Sequence, residues 1–166
     1  MIEVLTTFHK AGWQQYGKRM VETFLQHWPE DVCIHLYCEN VQTGIKHPRV
    51  IEHDIFETCP HIKGFLEQNN NDYNNGIRDG KRDFKYDAIK FCYKVFAQCH
   101  RINHSKADTV LFIDADTVTF APPPMKQLKE LLPDDNFTAY IGRPSNNKLP
   151  FAETGFIMYN IRHPNI

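Results

Sequence analysis

Cysteine is scarce and unpatterned: Cys33, Cys38, Cys59, Cys92 and Cys99 make an odd count with no CxxC pair. That speaks against a disulfide framework and fits reduced thiols in a cytosol-like compartment. A basic excess is missing too. Lys plus Arg total 19 against 20 for Asp plus Glu, a formal charge of −1, so nucleic acid is not expected as the primary partner. No apolar run approaches the ~20 residues of a membrane span. The opening MIEVLTTFHK reads as a strand and lacks the basic-then-apolar layout of a secretion signal. The expected localisation is cytoplasmic, and in a chain never secreted the sequons at Asn103 and Asn136 are chance matches. GxGxxG, P-loop and GxSxG motifs are all absent, which removes three familiar routes to nucleotide and hydrolase chemistry. The nine histidines are scattered without metal-ligand spacing.

What is present is an ordinary globular balance. The 166 residues are 42% hydrophobic and 23% charged, which predicts one domain over 1–166 with one core. Ile2 to Phe8 is apolar and β-rich, turning polar at Thr6, Thr7 and His9. A helix-period stripe follows at Trp13, Tyr16, Met20 and Phe24, closed by Pro29. Val32 to Tyr37 is a second strand, left through Cys38-Glu39-Asn40, and Val50 to Phe56 a weaker third. Pro60 to Leu66 fits a short helix. Gln68 to Gly80, rich in Asn and Gly, reads as a mobile loop, either a plain linker or a lid. A long helix is expected next, with Phe84, Ala88, Phe91, Cys92, Val95, Phe96 and Cys99 on one stripe. Asp83, Asp87, Lys90 and Lys94 fall on another. Val110 to Ile113 is a buried strand, Met125 to Leu132 a short helix after three prolines, and Phe137 to Ile141 and Gly155 to Ile161 the last strands. This alternation predicts an α/β fold, a mostly parallel sheet flanked by helices.

The sharpest feature is TVLFIDADTVTF, residues 109–120. Ligand sites in open α/β sheets lie beyond the carboxyl ends of strands, and here an apolar strand emits Asp114, Ala115 and Asp116. In extended chain the two carboxylates face the same way, ~6.7 Å apart, and repel by ~2.5 kcal/mol at an effective dielectric of ~20. A hard divalent cation, Mn²⁺ or Mg²⁺, relieves that repulsion, with a diphosphate supplying further oxygens. The bland alternative is a turn in which one Asp caps the next segment. Glu153 and Gly155, just ahead of the last strand, are either a polar turn or a site carboxylate beside a glycine that lets ligand approach the backbone. Asp87, Lys90 and Lys94 are either a solvated helix face or a phosphate-facing one.

Taken in order, Thr6-Thr7-Phe8, Tyr37-Cys38-Glu39, YDAIKFCYKVF, VLFIDADTVTF and ETGFIMYN resemble a GT-A type glycosyltransferase of the glycogenin-like and galactosyltransferase-like groups. The resemblance implies a Rossmann-like GT-A fold and a hexosyltransferase-like enzyme, inverting or retaining. It would move a sugar from a nucleoside-diphosphate sugar to a hydroxyl of a glycan or other acceptor. Thr6, Thr7 and Phe8 would then line the base and ribose pocket, and Glu39 would contact the base. Lys90 or Lys94 would approach the ribose or sugar phosphate, with Asp87 on the same helix face. Asp114 would contact ribose or donor sugar, Asp114 and Asp116 would hold the metal, and Glu153 would be the catalytic base of an inverting enzyme. Such domains are usually longer, and many add a late metal-binding His. Here five residues follow Ile161, and His163 comes too soon after the strand to be a confident ligand. Either the chain is C-terminally truncated or it is a minimal member. Two other functions fit parts of the pattern. One is a non-catalytic sugar-nucleotide or glycan-binding module of a larger protein. The other is a haloacid-dehalogenase-type phosphohydrolase with Asp114 as nucleophile, although its motif would then lie far from the first strand.

Overall fold

Alternation along Ile2–His9 (β1) sends Val4 and Phe8 to one face of a sheet and Leu5 to the other, all of them buried. The computed structural model describes residues 1–143 and 151–165, with backbone only at 143 and 151–153. After β1 the chain enters a helical segment at once: Lys10–Gly12 (α1), a π-helical turn over Trp13–Gly17, and Lys18–His27 (α2). Gly17 makes that turn possible, because a Cβ there would sit 2.9 Å from the Trp13 ring and 3.1 Å from the Phe8 ring. The helix ends just before Pro29, as its sequence requires.

Cys33–Glu39 (β2) and Val50–Asp54 (β3) extend the sheet in parallel. The third strand stops two residues short of the expected Phe56. Asp54 accepts from the amides of Phe56 and Glu57 and so starts a new helix, Ile55–Thr58 (α3). His61–Asn69 (α4) follows.

The largest departure from expectation comes next. Asn75–Arg78 (β4) and Lys81–Asp87 (β5) form an antiparallel hairpin where the Asn-rich segment reads as a mobile loop. Its turn is Asp79-Gly80, with φ of 51° and 70°, the type I′ geometry that Asp-Gly favours and that matches strand twist. The hairpin is irregular: Asn75 pairs with Asp87 and Ile77 with Arg82, so residues 83–86 bulge out opposite Gly76 alone. A Cβ on Gly76 (φ +74°) would lie 2.6 Å from the Asp83 carbonyl oxygen. The long helix therefore begins later than its apolar stripe suggests, at Ala88–His104 (α5). Phe84 and Asp83 belong to the hairpin.

Thr109–Ile113 (β6) lies parallel to β1 on the side away from β2. Met125–Leu131 (α6), Thr138–Arg143 (β7) and Phe151–Asn160 (β8) complete the order. The sheet runs β3-β2-β1-β6-β8-β7, parallel except for β8, which opposes both its neighbours. One face packs Phe24, Met20, Leu111 and Met158 beneath α2 and α6; the other packs Tyr37, Ile55, Ile62 and Phe112 beneath α3, α4 and α5. Strand order switches direction between β1 and β6, and a crevice opens beyond their carboxyl ends. Among the described residues no helix is long and apolar enough to cross a membrane.

Beneath α5 the sheet also buries a polar network. His35 Nδ1 lies 2.9 Å from His53 Nε2 and 3.1 Å from a guanidinium nitrogen of Arg101. Arg101 Nε lies 3.3 Å from the Glu3 carboxylate, which also accepts from Ser105 Oγ at 2.7 Å. The Tyr37 ring stacks on His53 at 4.6 Å between centroids, and its hydroxyl lies 2.8 Å from His100 Nδ1.

Candidate active site

β6 is apolar and buried to its last residue, and pairing with β1 and β8 fixes where it stops. Beyond Ile113 the chain turns: the Thr117 amide donates to the Asp114 carbonyl at 3.0 Å. Extended alternation, the basis for expecting the two carboxylates on one side, ends before the motif does. The turn nonetheless directs Asp114 and Asp116 to one cleft, with Ala115 buried between them. The cleft holds about 350 Å³ at the carboxyl ends of β1, β2 and β6.

Its floor comes from Thr7 and Phe8 at the end of β1 and from Glu39 at the end of β2. One wall is α5, which presents Lys90, Phe91, Tyr93 and Lys94. Lys94 Nζ lies 2.5 Å from Asp114 Oδ1 and over the rings of Phe112 and Phe91, at 5.2 and 5.7 Å. Lys90, one turn earlier, lies over Phe84 at 5.8 Å and Phe91 at 6.0 Å. Asp116 is exposed and has no ion-pair partner among the described residues. Opposite stand His9 and Tyr16. The Gly12 amide donates to His9 Nδ1 at 3.0 Å, so a neutral His9 carries its proton on Nε2. Burial, and then the charges of Asp116 and Asp114, raise the Tyr16 phenol above its ordinary value. It stays a neutral donor. Burial raises the Tyr93 phenol as well, helped by the nearby Glu39 carboxylate.

The sheet also unites the two motifs. Ile113 pairs with Phe156, and the Asp114 amide donates to the Gly155 carbonyl at 2.9 Å. Gly155 thus sits directly beside Asp114. The Glu153 side chain lies outside the described residues; its backbone pairs with Ile141 in the body of β8.

Two candidates fall elsewhere. Thr6 is fully buried and not on the cleft wall: it lies inside the strand, before Thr7 and Phe8, where both faces of β1 are covered. Asp87 is 1% exposed and its carboxylate is already engaged. It accepts from the Lys90 amide at 2.7 Å and pairs with Arg82 at 2.6 Å, and the guanidinium and amide hydrogen bonds hold it below the usual carboxylate range despite burial. Asp87 fastens the hairpin to the start of α5. Asp87→Ala should therefore destabilise the fold by about 1–2 kcal/mol, the scale of a lost N-cap. Urea unfolding measures this, and ligand affinity of the folded fraction should stay unchanged.

Sequence reasoning reads His9 as a polar strand end and Tyr16, Phe84 and Phe91 as helix-stripe residues, and does not single out Tyr93; all five line the cleft. The Asp-Gly turn carried the signal for Phe84, since a hairpin places residue 84 on a bulge at the cleft mouth. For a cation the donor set is partial. Among the described residues no group of three or more His, Cys, Asp or Glu is placed to hold a metal ion. Two carboxylates with no thiolate beside them suit a hard cation that draws its remaining oxygens from a ligand.

No protein-family model matches the chain, and no curated protein matches it by sequence. Solved structures do. Mouse xyloside xylosyltransferase 1 in its apo form superposes with a TM-score of 0.59 at 14% identity, over 97% of this chain and 68% of that one. The bifunctional glycosyltransferase WbbM gives 0.56 at 13%, over 97% and 31%. The galactosyltransferase LgtC, solved with donor and acceptor sugar analogs, gives 0.53 at 8%, over 96% and 58%. This chain thus spans between about a third and two thirds of these proteins' lengths. The chain has the mixed α/β fold, with a six-stranded, mostly parallel sheet flanked by helices, of the GT-A glycosyltransferases.

Proposed function

We propose that the chain is a metal-dependent glycosyltransferase domain. It would transfer a sugar from a nucleoside-diphosphate sugar to a hydroxyl of a glycan or other acceptor. One observation carries this reading above the fold: Asp114 and Asp116 open on a single cleft at the switch point, with Gly155 hydrogen-bonded beside them. Thr7, Phe8 and Glu39 form the end of the cleft suited to base and ribose. Lys90, with no carboxylate partner among the described residues, is free to meet a phosphate. Asp114 and Asp116 would hold Mn²⁺ or Mg²⁺, which when bound neutralises charge growing on the diphosphate leaving group. Tyr16 and His9 would donate to ligand oxygens from the facing wall. In an inverting reaction the acceptor hydroxyl gives its proton to a carboxylate, and Glu153 is the candidate by its place ahead of Gly155.

Calorimetry with UDP and GDP, with and without Mn²⁺, tests the proposal. Binding that needs Mn²⁺ is the expected result. Absence of any metal-dependent nucleotide binding would contradict it.

A further inference from the structure

We infer that Lys94 is a tethered counter-ion for Asp114 and that a divalent cation entering the cleft displaces it. The inference rests on the metal-dependent reading above and adds a competitor to it. Asp114 and Asp116 share one cleft, yet among the described residues only Asp114 holds an ammonium, 2.5 Å from its Oδ1. The Lys94 and Asp114 side chains are 21% and 33% exposed. In such a half-buried pair each charge is released more readily when it finds a replacement partner.

Both replacements are at hand. Lys94 Nζ already lies over the Phe112 and Phe91 rings, and ring faces hold a cation without a counter-anion. α5 anchors the stem through Cys92 and Ala97, buried against the sheet, so the ammonium keeps its post when Asp114 turns away. For Asp114 the replacement is the incoming cation, which also takes Asp116. Lys94 and that cation cannot both crowd one carboxylate without like-charge repulsion. Two consequences follow: the empty cleft resists a bare cation, and entry of the cation frees the Lys94 amine.

The first consequence is read by titrating Mn²⁺ without nucleotide into the wild-type chain, Lys94→Met and Lys94→Arg, following free Mn²⁺ by electron paramagnetic resonance. Lys94→Met, which keeps the stem's packing, should bind Mn²⁺ at least about tenfold tighter; Lys94→Arg, which keeps the charge, should resemble wild type. Equal or weaker binding by a folded Lys94→Met would overturn the counter-ion role while leaving metal-dependent nucleotide binding by the wild type intact. If the wild type binds Mn²⁺ neither alone nor with UDP or GDP, the metal-dependent reading falls together with this one. The second consequence needs no variant: Mn²⁺ should raise acetylation of Lys94 by acetic anhydride several-fold, and an unchanged yield would also overturn the inference.

Discussion

Asp116→Asn is expected to weaken Mn²⁺-dependent binding of a nucleoside diphosphate by at least about 100-fold, with the fold intact. Removing a partner of a metal ligand costs 10–100-fold in affinity, so losing a ligand itself should cost no less. The effect is large because the cleft has so little in reserve. Among the described residues no third carboxylate, imidazole or thiolate completes a metal site with Asp114 and Asp116, and Asp114 already carries Lys94. Asp116 is exposed and in no ion pair among the described residues, so its loss should change stability by less than about 0.5 kcal/mol. Calorimetry reads the first effect and thermal unfolding the second. Unchanged nucleotide affinity in a folded variant would remove Asp116 from the site.

Mild acid is expected to cost the fold about 3–4 kcal/mol between pH 7 and pH 4.5, a large share of the 5–15 kcal/mol typical of a domain. Burial, and next the Arg101 charge, lower His35 to about 3 and His53 to about 4. Both are therefore neutral in the fold at pH 7, and in the unfolded chain they return to about 6.5. Below pH 6.5 the unfolded state binds more protons, so stability falls as pH falls. The contribution is complete above pH 6.5 and is lost on the way down to the folded values. At 1.36 kcal/mol per unit the full shifts would exceed the figure given, but the two rings share one contact at 2.9 Å. The first protonation breaks it, and the losses do not add. Asp87 is held below the ordinary carboxylate range, so its own contribution fades only at lower pH. Urea unfolding at pH 7.5, 5.5 and 4.5 measures the slope; a flat profile would show that the network under α5 is hydrated and titrates freely.

Much of the architecture is legible in the residues, for a physical reason. β1, β2 and β6 are buried on both faces and so read as apolar runs, and their order beside α2 and α5 leaves few ways to lay down a parallel sheet. The DAD motif stands out because carboxylates follow a buried apolar run; that both open on one cleft, and not on a plain turn, is seen only in the fold. What was hidden depends on local capping and turns. Asp79-Gly80 outweighs the loop-like composition around it and folds a hairpin, and Asp87 starts α5 one turn later than Phe84 suggests. Asp54 likewise ends β3 early. Thr6 shows the opposite limit: its type suits a ligand pocket, but it lies one residue too early in β1, where both faces of the strand are covered. Spacing alone leaves Lys94 on either a solvated or a phosphate-facing helix face, and only the resemblance brings it near the site; its pairing with Asp114 is a matter of side-chain reach that no periodicity encodes.

A crystal soaked with Mn²⁺ and a nucleoside diphosphate is the most direct trial of the shared cleft. Anomalous density should appear in contact with Asp116 and Asp114, beside the diphosphate, with the base toward Glu39 and Asp114 turned away from Lys94. Nucleotide bound elsewhere, or bound in the cleft with no cation against either aspartate, would contradict it.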